Sequence, residues 1–246
     1  MTDGPDSRPT SPARPDRGLT ADGRPTREVL SYSRRGSRLT PSQADAWAAH
    51  ADDWVIPVED VGEPGFVLAE RFGRVAPLVV EIGSGVGEAT GVLAAARADH
   101  DVLALEVWLP GVAASLAEVA AAGATNVRFC AVDALWAVEH LVPLGGLAGL
   151  WTFFPDPWPK TRHHKRRLVR PSFAALVASR LAPGAEWRLA TDWPHYAEQM
   201  AAVLDAEPGL VGGVVERWAE RPVTKFERKG VEAGRPITDL RYVRRG

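Results

Sequence analysis

Between residues 76 and 193, apolar runs rich in valine and isoleucine alternate with alanine-rich stretches, and this rhythm constrains the fold more than any other property of the chain. "APLVVEIGSG" is followed by the helical pattern "EATGVLAAARA", "DVLALEVW" by "PGVAASLAEVAAAG", and "NVRFCAVDA" by "LWAVEHLV". A fourth strand, "LAGLWTFF", precedes a helix read over "RRLVRPSFAALVASRLAPG" and ended by Gly184, and a fifth strand is "AEWRLATDW". Strands that are apolar throughout must be covered on both faces, and intervening helices do that covering. The expected class is therefore α/β: a doubly wound, mostly parallel sheet of Rossmann-like type. The closing stretch from Leu210 carries weaker strand signals around a basic loop, and no internal repeat is visible.

Sheets of this kind bind ligands beyond the carboxyl ends of their strands. Glu81, Glu106, Asp133, Asp156 and Asp192 all fall at or just past such ends. Gly83, Gly85 and Gly87 form a strand-to-helix turn where the backbone can approach a ligand closely. A dinucleotide fingerprint, G-x-G-x-x-G, would need its last glycine where Glu88 stands. A carboxylate there repels a pyrophosphate that needs the helix N-terminus. S-adenosylmethionine has no phosphate and carries a sulfonium and an ammonium group, so an acidic glycine-lined pocket suits it. Glu106, 19 residues after Gly87, is placed to take ribose hydroxyls, and Asp133 lies where an adenine would sit.

"FFPDPWPKTRHHKRRLV" welds a stiff acidic loop to the most basic stretch of the chain. Pro155, Pro157 and Pro159 fix their own φ and push Asp156 and Trp158 toward extended conformations. A carboxylate beside an aromatic face suits a planar base. Lys160, Arg162, His163, His164, Lys165, Arg166, Arg167 and Arg170 follow, read as the start of a helix. Cations there are unfavourable unless phosphates approach them, so a nucleic acid running past the acidic loop explains both halves. With a net charge of only -2, such binding has to come from a local patch. Trp158 and Phe226 are either stacking partners for the base or buried anchors.

Together, "EIGSGVGEAT", "LEVWLPGV", "FFPDPWPKTRHHKRRL", "ATDWPHYAEQM" and "RPVTKFERKG" make the chain resemble the bacterial tRNA (guanine-N7)-methyltransferase family over roughly residues 31 to 246. "YSRRGSRLTPSQADAW" is similar to that family's N-terminal arm. The resemblance implies methyl transfer from S-adenosylmethionine to guanosine 46 of the tRNA variable loop. It implies cofactor contacts from Glu81, Glu106 and Asp133, a catalytic role for Asp156 bordering the cofactor, and substrate contacts from Lys160, Asp192, Thr224, Lys225, Phe226 and Glu227. Ser84, Trp108 and Thr161 depart from the residues common in the family. The family includes monomers and homodimers.

The remaining expectations are exclusions. The single cysteine, Cys130, rules out an internal disulfide and fits a reducing cytoplasm, and the six scattered histidines give no metal site. The longest uncharged run, Leu141 to Pro155, is too short to span a bilayer. Residues 1 to 30, rich in Pro, Asp, Arg, Ser and Gly and without an apolar core for a secretory signal, read as a disordered tail before one domain at 31 to 246. Among rival chemistries, methylation of an exocyclic amine would call for an acid followed by adjacent prolines, not Asp156-Pro157-Trp158-Pro159. A fold that kept cofactor architecture but lost catalysis would not need every strand-end acid.

Overall fold

The computed structural model describes residues 31–32 and 36–246, so the expected tail lies outside the described residues. Eight strands form one sheet: β1 (Val55–Ile56), β2 (Leu78–Ile82), β3 (Asp101–Leu105), β4 (Val127–Cys130), β5 (Leu147–Phe153), β6 (Leu181–Thr191), β7 (Leu210–Val215) and β8 (Thr238–Arg244). Their spatial order is β1-β4-β3-β2-β5-β6-β8-β7. All pairings from β1 across to β6 are parallel. β8 runs antiparallel to both β6 and β7. The mostly parallel, doubly wound reading is thus observed.

Successive residues of each strand enter different cores. Val79, Val102, Ala104 and Phe129 pack on one face beneath α1 (Pro41–Trp54), α2 (Glu88–Ala95) and α3 (Leu109–Ala121). Val80, Leu103, Leu105 and Leu150 pack on the other, with α4 (Ala134–His140), α5 (Pro171–Arg180) and α6 (Pro194–Asp205). Each fully buried Leu or Val side chain contributes roughly 1.5–3 kcal/mol, so the two clusters dominate the driving force. The chain leaves β2 toward β3 and β4, then returns to β5 on β2's other side. That reversal opens a crevice at the carboxyl ends of β2, β3 and β5.

Four local expectations are corrected. The basic stretch is not a helix start: Thr161–Arg166 is a single 3₁₀ segment, and α5 begins only at Pro171. Proline forces the residue before it out of the helical region, and Arg170 accordingly has φ -134° and ψ 161°. The same helix ends at Arg180 rather than at Gly184, which lies within β6 with a left-handed φ of 82°. Trp158 is not extended, having φ 45°. The basic loop near the end is a helix, α7 (Lys225–Glu232), capped by the Thr224 hydroxyl, which accepts from the Glu227 N–H. Its sequence, T-K-F-E, is a helix-start pattern.

Candidate active site

A cavity of about 430 Å³ occupies the crevice, a volume suited to a cofactor-sized ligand. Its lining includes Glu81 within β2, Gly83, Ser84 and Gly85 after it, Glu106 after β3, and Phe154 and Asp156 after β5. Thr224, Lys225, Phe226 and Lys229 of α7 close it from another side.

The floor is acidic. Glu81, only 2% exposed, accepts a 2.6 Å hydrogen bond from the Thr90 hydroxyl. Burial pushes its pKa up to about 7, with Glu106 adding to the rise and the Thr90 bond opposing it. Glu106 organises the glycine turn: one carboxylate oxygen accepts from the Gly85 N–H at 2.9 Å and the other from the Trp108 N–H at 2.8 Å. Gly83 and Gly85 have φ of 75° and 62°, so the backbone there turns in the left-handed region that glycine alone enters without strain. Gly87 shares this conformation at φ 86° and serves packing as well, since a β-carbon on it would fall 2.6 Å from the Ser115 Cα of α3.

The wall after β5 carries Asp156. Among the described residues its carboxylate has no hydrogen-bond or ion-pair partner, although it lines the cavity. Its loop is gripped just beyond it, at Trp158. The Trp158 indole N–H donates to the Ser31 carbonyl at 2.9 Å, and the Arg166 guanidinium lies 3.7 Å from the Trp158 ring centre. With His163 edge-on at 5.9 Å as well, Trp158 is an anchor whose ring already has company. Lys160, Arg162 and Lys165 are exposed on the following turn, whereas Arg167 is fully buried. Burial thus removes Arg167 from the expected cationic track. Leu168, just beyond it, lines the cavity that holds Glu81 and Glu106, whereas Lys160, Arg162 and Lys165 lie outside the lining.

The opposite wall is α7. Glu88, at the start of α2, accepts from the Lys225 N–H at 2.5 Å and from the Arg228 guanidinium at 2.8 Å. The residue that counted against a dinucleotide thus pins this helix over the glycine turn. Phe226 is 46% exposed, and a β-carbon on Gly85 would lie 3.7 Å from its ring. Its face is available over the cavity in a way that Trp158's is not.

Besides Lys160 on the exposed turn, three expected residues lie outside the lining. Asp133 caps α4, accepting from the Leu135 and Trp136 N–H groups, while its neighbours Val132 and Ala134 line the cavity. Asp192 lies outside the lining and accepts from Arg235 Nε at 2.9 Å and Nη2 at 2.6 Å. Glu227 is 4% exposed and pairs with Arg217 at 2.6 Å and Arg221 at 2.5 Å. Burial alone would raise its pKa, but the Arg217 and Arg221 guanidiniums more than offset this and hold its carboxyl below the usual range. Sequence reading passed over Arg217, Arg221 and Asp239. Their pairing joins positions 6, 10 and 18 apart, with no fixed spacing to serve as a local signal.

The fit to S-adenosylmethionine rests on this donor set. Two carboxylates suit cationic groups and ribose hydroxyls. The Ser84 hydroxyl on the lining is buried without a partner among the described residues, so a ligand's polar atom would satisfy it. No group of His, Cys, Asp and Glu able to hold a metal occurs among the described residues.

Comparison with known proteins identifies the family. A family model described as "Putative methyltransferase" matches residues 75–240. The tRNA (guanine-N(7)-)-methyltransferase of Nocardioides sp. is 69% identical over 235 residues, covering 96% of this chain and 95% of that protein. The protein of the same name from Cutibacterium acnes is 46% identical, covering 89% of this chain and 84% of its own length. Among solved structures, the 16S rRNA methyltransferase KamB superposes with a TM-score of 0.51 at 18% identity, over 74% of this chain and 96% of that one. This last likeness concerns the fold.

Proposed function

The chain belongs to the tRNA (guanine-N(7)-)-methyltransferase family, and on that premise we propose that it methylates N7 of guanosine 46 in the tRNA variable loop. S-adenosylmethionine is the methyl donor that membership implies. The observation that carries the reading is Asp156: an unpartnered carboxylate lining the cavity with Glu81 and Glu106, on a loop anchored at Trp158 and followed in the chain by an exposed basic turn. No helix among the described residues is long and apolar enough to cross a membrane. A cytoplasmic location is part of the proposal.

When bound, the donor supplies an electrophilic methyl on a sulfonium. Glu81, Glu106 and the Gly83–Gly85 backbone would hold it, with Ser84 adding a polar contact. Guanine N7 carries a free lone pair and no proton, so no residue has to act as a general base. What remains is alignment and charge. Holding nucleophile and methyl in line is a positioning effect of several kcal/mol. Asp156 would orient the base and stabilise the positive charge that the guanine imidazole ring gains on methylation. Phe226 is the stacking surface, Thr224 and Lys225 border the base, and Lys160 with the exposed turn receives phosphates. Asp192 and Glu227 support that surface from behind, through Arg235 and through Arg217 with Arg221.

The test is incubation with unmodified tRNA and labelled S-adenosylmethionine, then borohydride and aniline, which cut chains at 7-methylguanosine. Incorporation with a cut at guanosine 46 is expected. A cut elsewhere overturns the position, and label without a cut overturns the atom. Asp156→Asn is expected to lower the single-turnover rate about 100-fold, the scale of losing one aligned electrostatic contact. The wild-type rate, with both ligands saturating, stays flat across neutral pH.

A further inference from the structure

Arg167 is the one cation of the "KTRHHKRR" stretch that the function above leaves without a task, and its surroundings are unusual. Its side chain is fully buried, yet among the described residues no carboxylate pairs with it. Nε donates to the Pro157 carbonyl at 2.8 Å. Nη1 donates to the Gln199 side-chain oxygen at 2.5 Å and to His195 Nδ1 at 3.0 Å. The guanidinium lies 4.7 Å from the Tyr196 ring centre, and Nη2 is buried without a partner. A buried cation with only neutral acceptors carries a desolvation cost that no ion pair offsets, so stability alone does not account for it.

We propose that Arg167 is a positioning residue for Asp156, a role that rests on the methyl-transfer reading of this cavity. The carbonyl it holds belongs to the residue directly after Asp156, and the next residue, Trp158, sits at a left-handed φ of 45°. Bulky residues rarely adopt that conformation, so the surroundings have to enforce it. Arg166 does so from outside, stacked on the Trp158 ring, and Arg167 from inside. Flanked by prolines that fix φ, the loop has few remaining torsions, and the anchor on the Pro157 carbonyl fixes ψ of Pro157, the residue that follows Asp156.

The same contacts give a task to "ATDWPHYAEQM". His195 and Gln199, four apart on α6, meet the guanidinium, while the Tyr196 hydroxyl accepts from the Val169 N–H at 3.1 Å. Gln199 Nε2 donates to the Val169 carbonyl at 3.2 Å. One turn of α6 thereby fixes residues 167–169, and Arg167 passes that rigidity to the Asp156 loop.

The experiment compares Arg167→Met and Arg167→Lys with the wild-type enzyme, measuring the single-turnover methylation rate at saturating tRNA and S-adenosylmethionine. Dissociation constants for both ligands, the salt dependence of tRNA binding and the thermal midpoint are measured alongside. Displacement of a reacting group by about 1 Å costs on the order of 100-fold, so Arg167→Met should lose about that much in rate. Arg167→Lys, keeping one donor, should lose about 10-fold. Both should keep dissociation constants within about threefold, an unchanged salt slope and a midpoint within about 4 °C. A rate within threefold of wild type in Arg167→Met overturns the proposal, as does a salt slope reduced by about one, which would make Arg167 a phosphate contact. Should Arg167→Met not fold, Arg167→Lys decides: a full rate there overturns the role. A wild-type enzyme giving no aniline-cleavable product on the same tRNA would instead sink the reading of the cavity, whatever the variants do.

Discussion

The two walls of the cavity are each held by buried arginine, and they are held differently. Behind α7, Arg221 pairs with Glu227 and with Asp239 at 2.8 Å, Arg217 adds to Glu227, and the cluster balances two cations against two carboxylates. Arg221 also lies 5.3 Å from the Phe154 ring centre, so this cluster touches the start of the opposite loop. Behind Asp156, Arg167 meets only a carbonyl, an amide oxygen, an imidazole nitrogen and an aromatic face. The difference separates stability from alignment. Removing one member of a charge-balanced buried cluster strands its partners, whereas removing a cation from neutral acceptors leaves no orphan charge.

The sharpest way to break this contrast is Arg221→Leu. It leaves Asp239 without its guanidinium partner and should cost about 3–5 kcal/mol in urea unfolding, far more than Arg167→Met. An Arg221→Leu protein as stable as wild type would erase the distinction. The Glu227 pKa is depressed in the folded state, so its contribution is present above the ordinary Glu value of 4.5 and is lost as pH falls through the lowered one. Acid unfolding of Arg221→Leu should therefore begin at higher pH than in wild type.

A smaller effect concerns the floor between the walls. Glu81 is raised to about 7, so in the ligand-free protein it favours folding below the ordinary value of 4.5, and that contribution is lost as pH rises through about 7. A cationic ligand needs Glu81 ionised, which gives the opposite trend in binding. Affinity for S-adenosylmethionine should weaken by up to about tenfold per pH unit below pH 7 and level off above it. Calorimetry at pH 6 and 8 checks this, and Glu81→Gln should flatten the profile while weakening binding at pH 8. The smallest effect tests the exposed turn: Lys160→Ala should weaken tRNA binding modestly and reduce the salt slope by about one, with the rate at saturation unchanged. An unchanged slope removes Lys160 from the phosphate track.

Legibility in the sequence followed the range of the interactions. β2 to β5 were readable because a strand buried on both faces has to be apolar along its length. The glycine turn was readable because left-handed φ at Gly83 and Gly85 leaves a compositional mark. Where Arg170 precedes Pro171 and where Thr224 precedes Glu227 by three, local rules were present in the sequence and were overridden by the weight of basic residues. Arg167 and Arg166 are adjacent and chemically identical, yet one is buried and the other stacks on Trp158. Nothing in their order distinguishes them.

By itself the sequence determined the α/β architecture, the acid-lined glycine turn and the kinship carried by "FPDPWPK" and "TKFE", since each depends on patterning within a few residues or one strand-helix unit. Only the tertiary structure decided which charges face the cavity. Glu227 turned inward to Arg217 and Arg221, Asp192 to Arg235, and Arg167 beneath the Asp156 loop, while Asp156 was left unpaired on the wall. The physical reason is that a charged side chain's role depends on what desolvates and pairs it, and those partners arrive from 10, 6, 43 and 32 positions away in the chain.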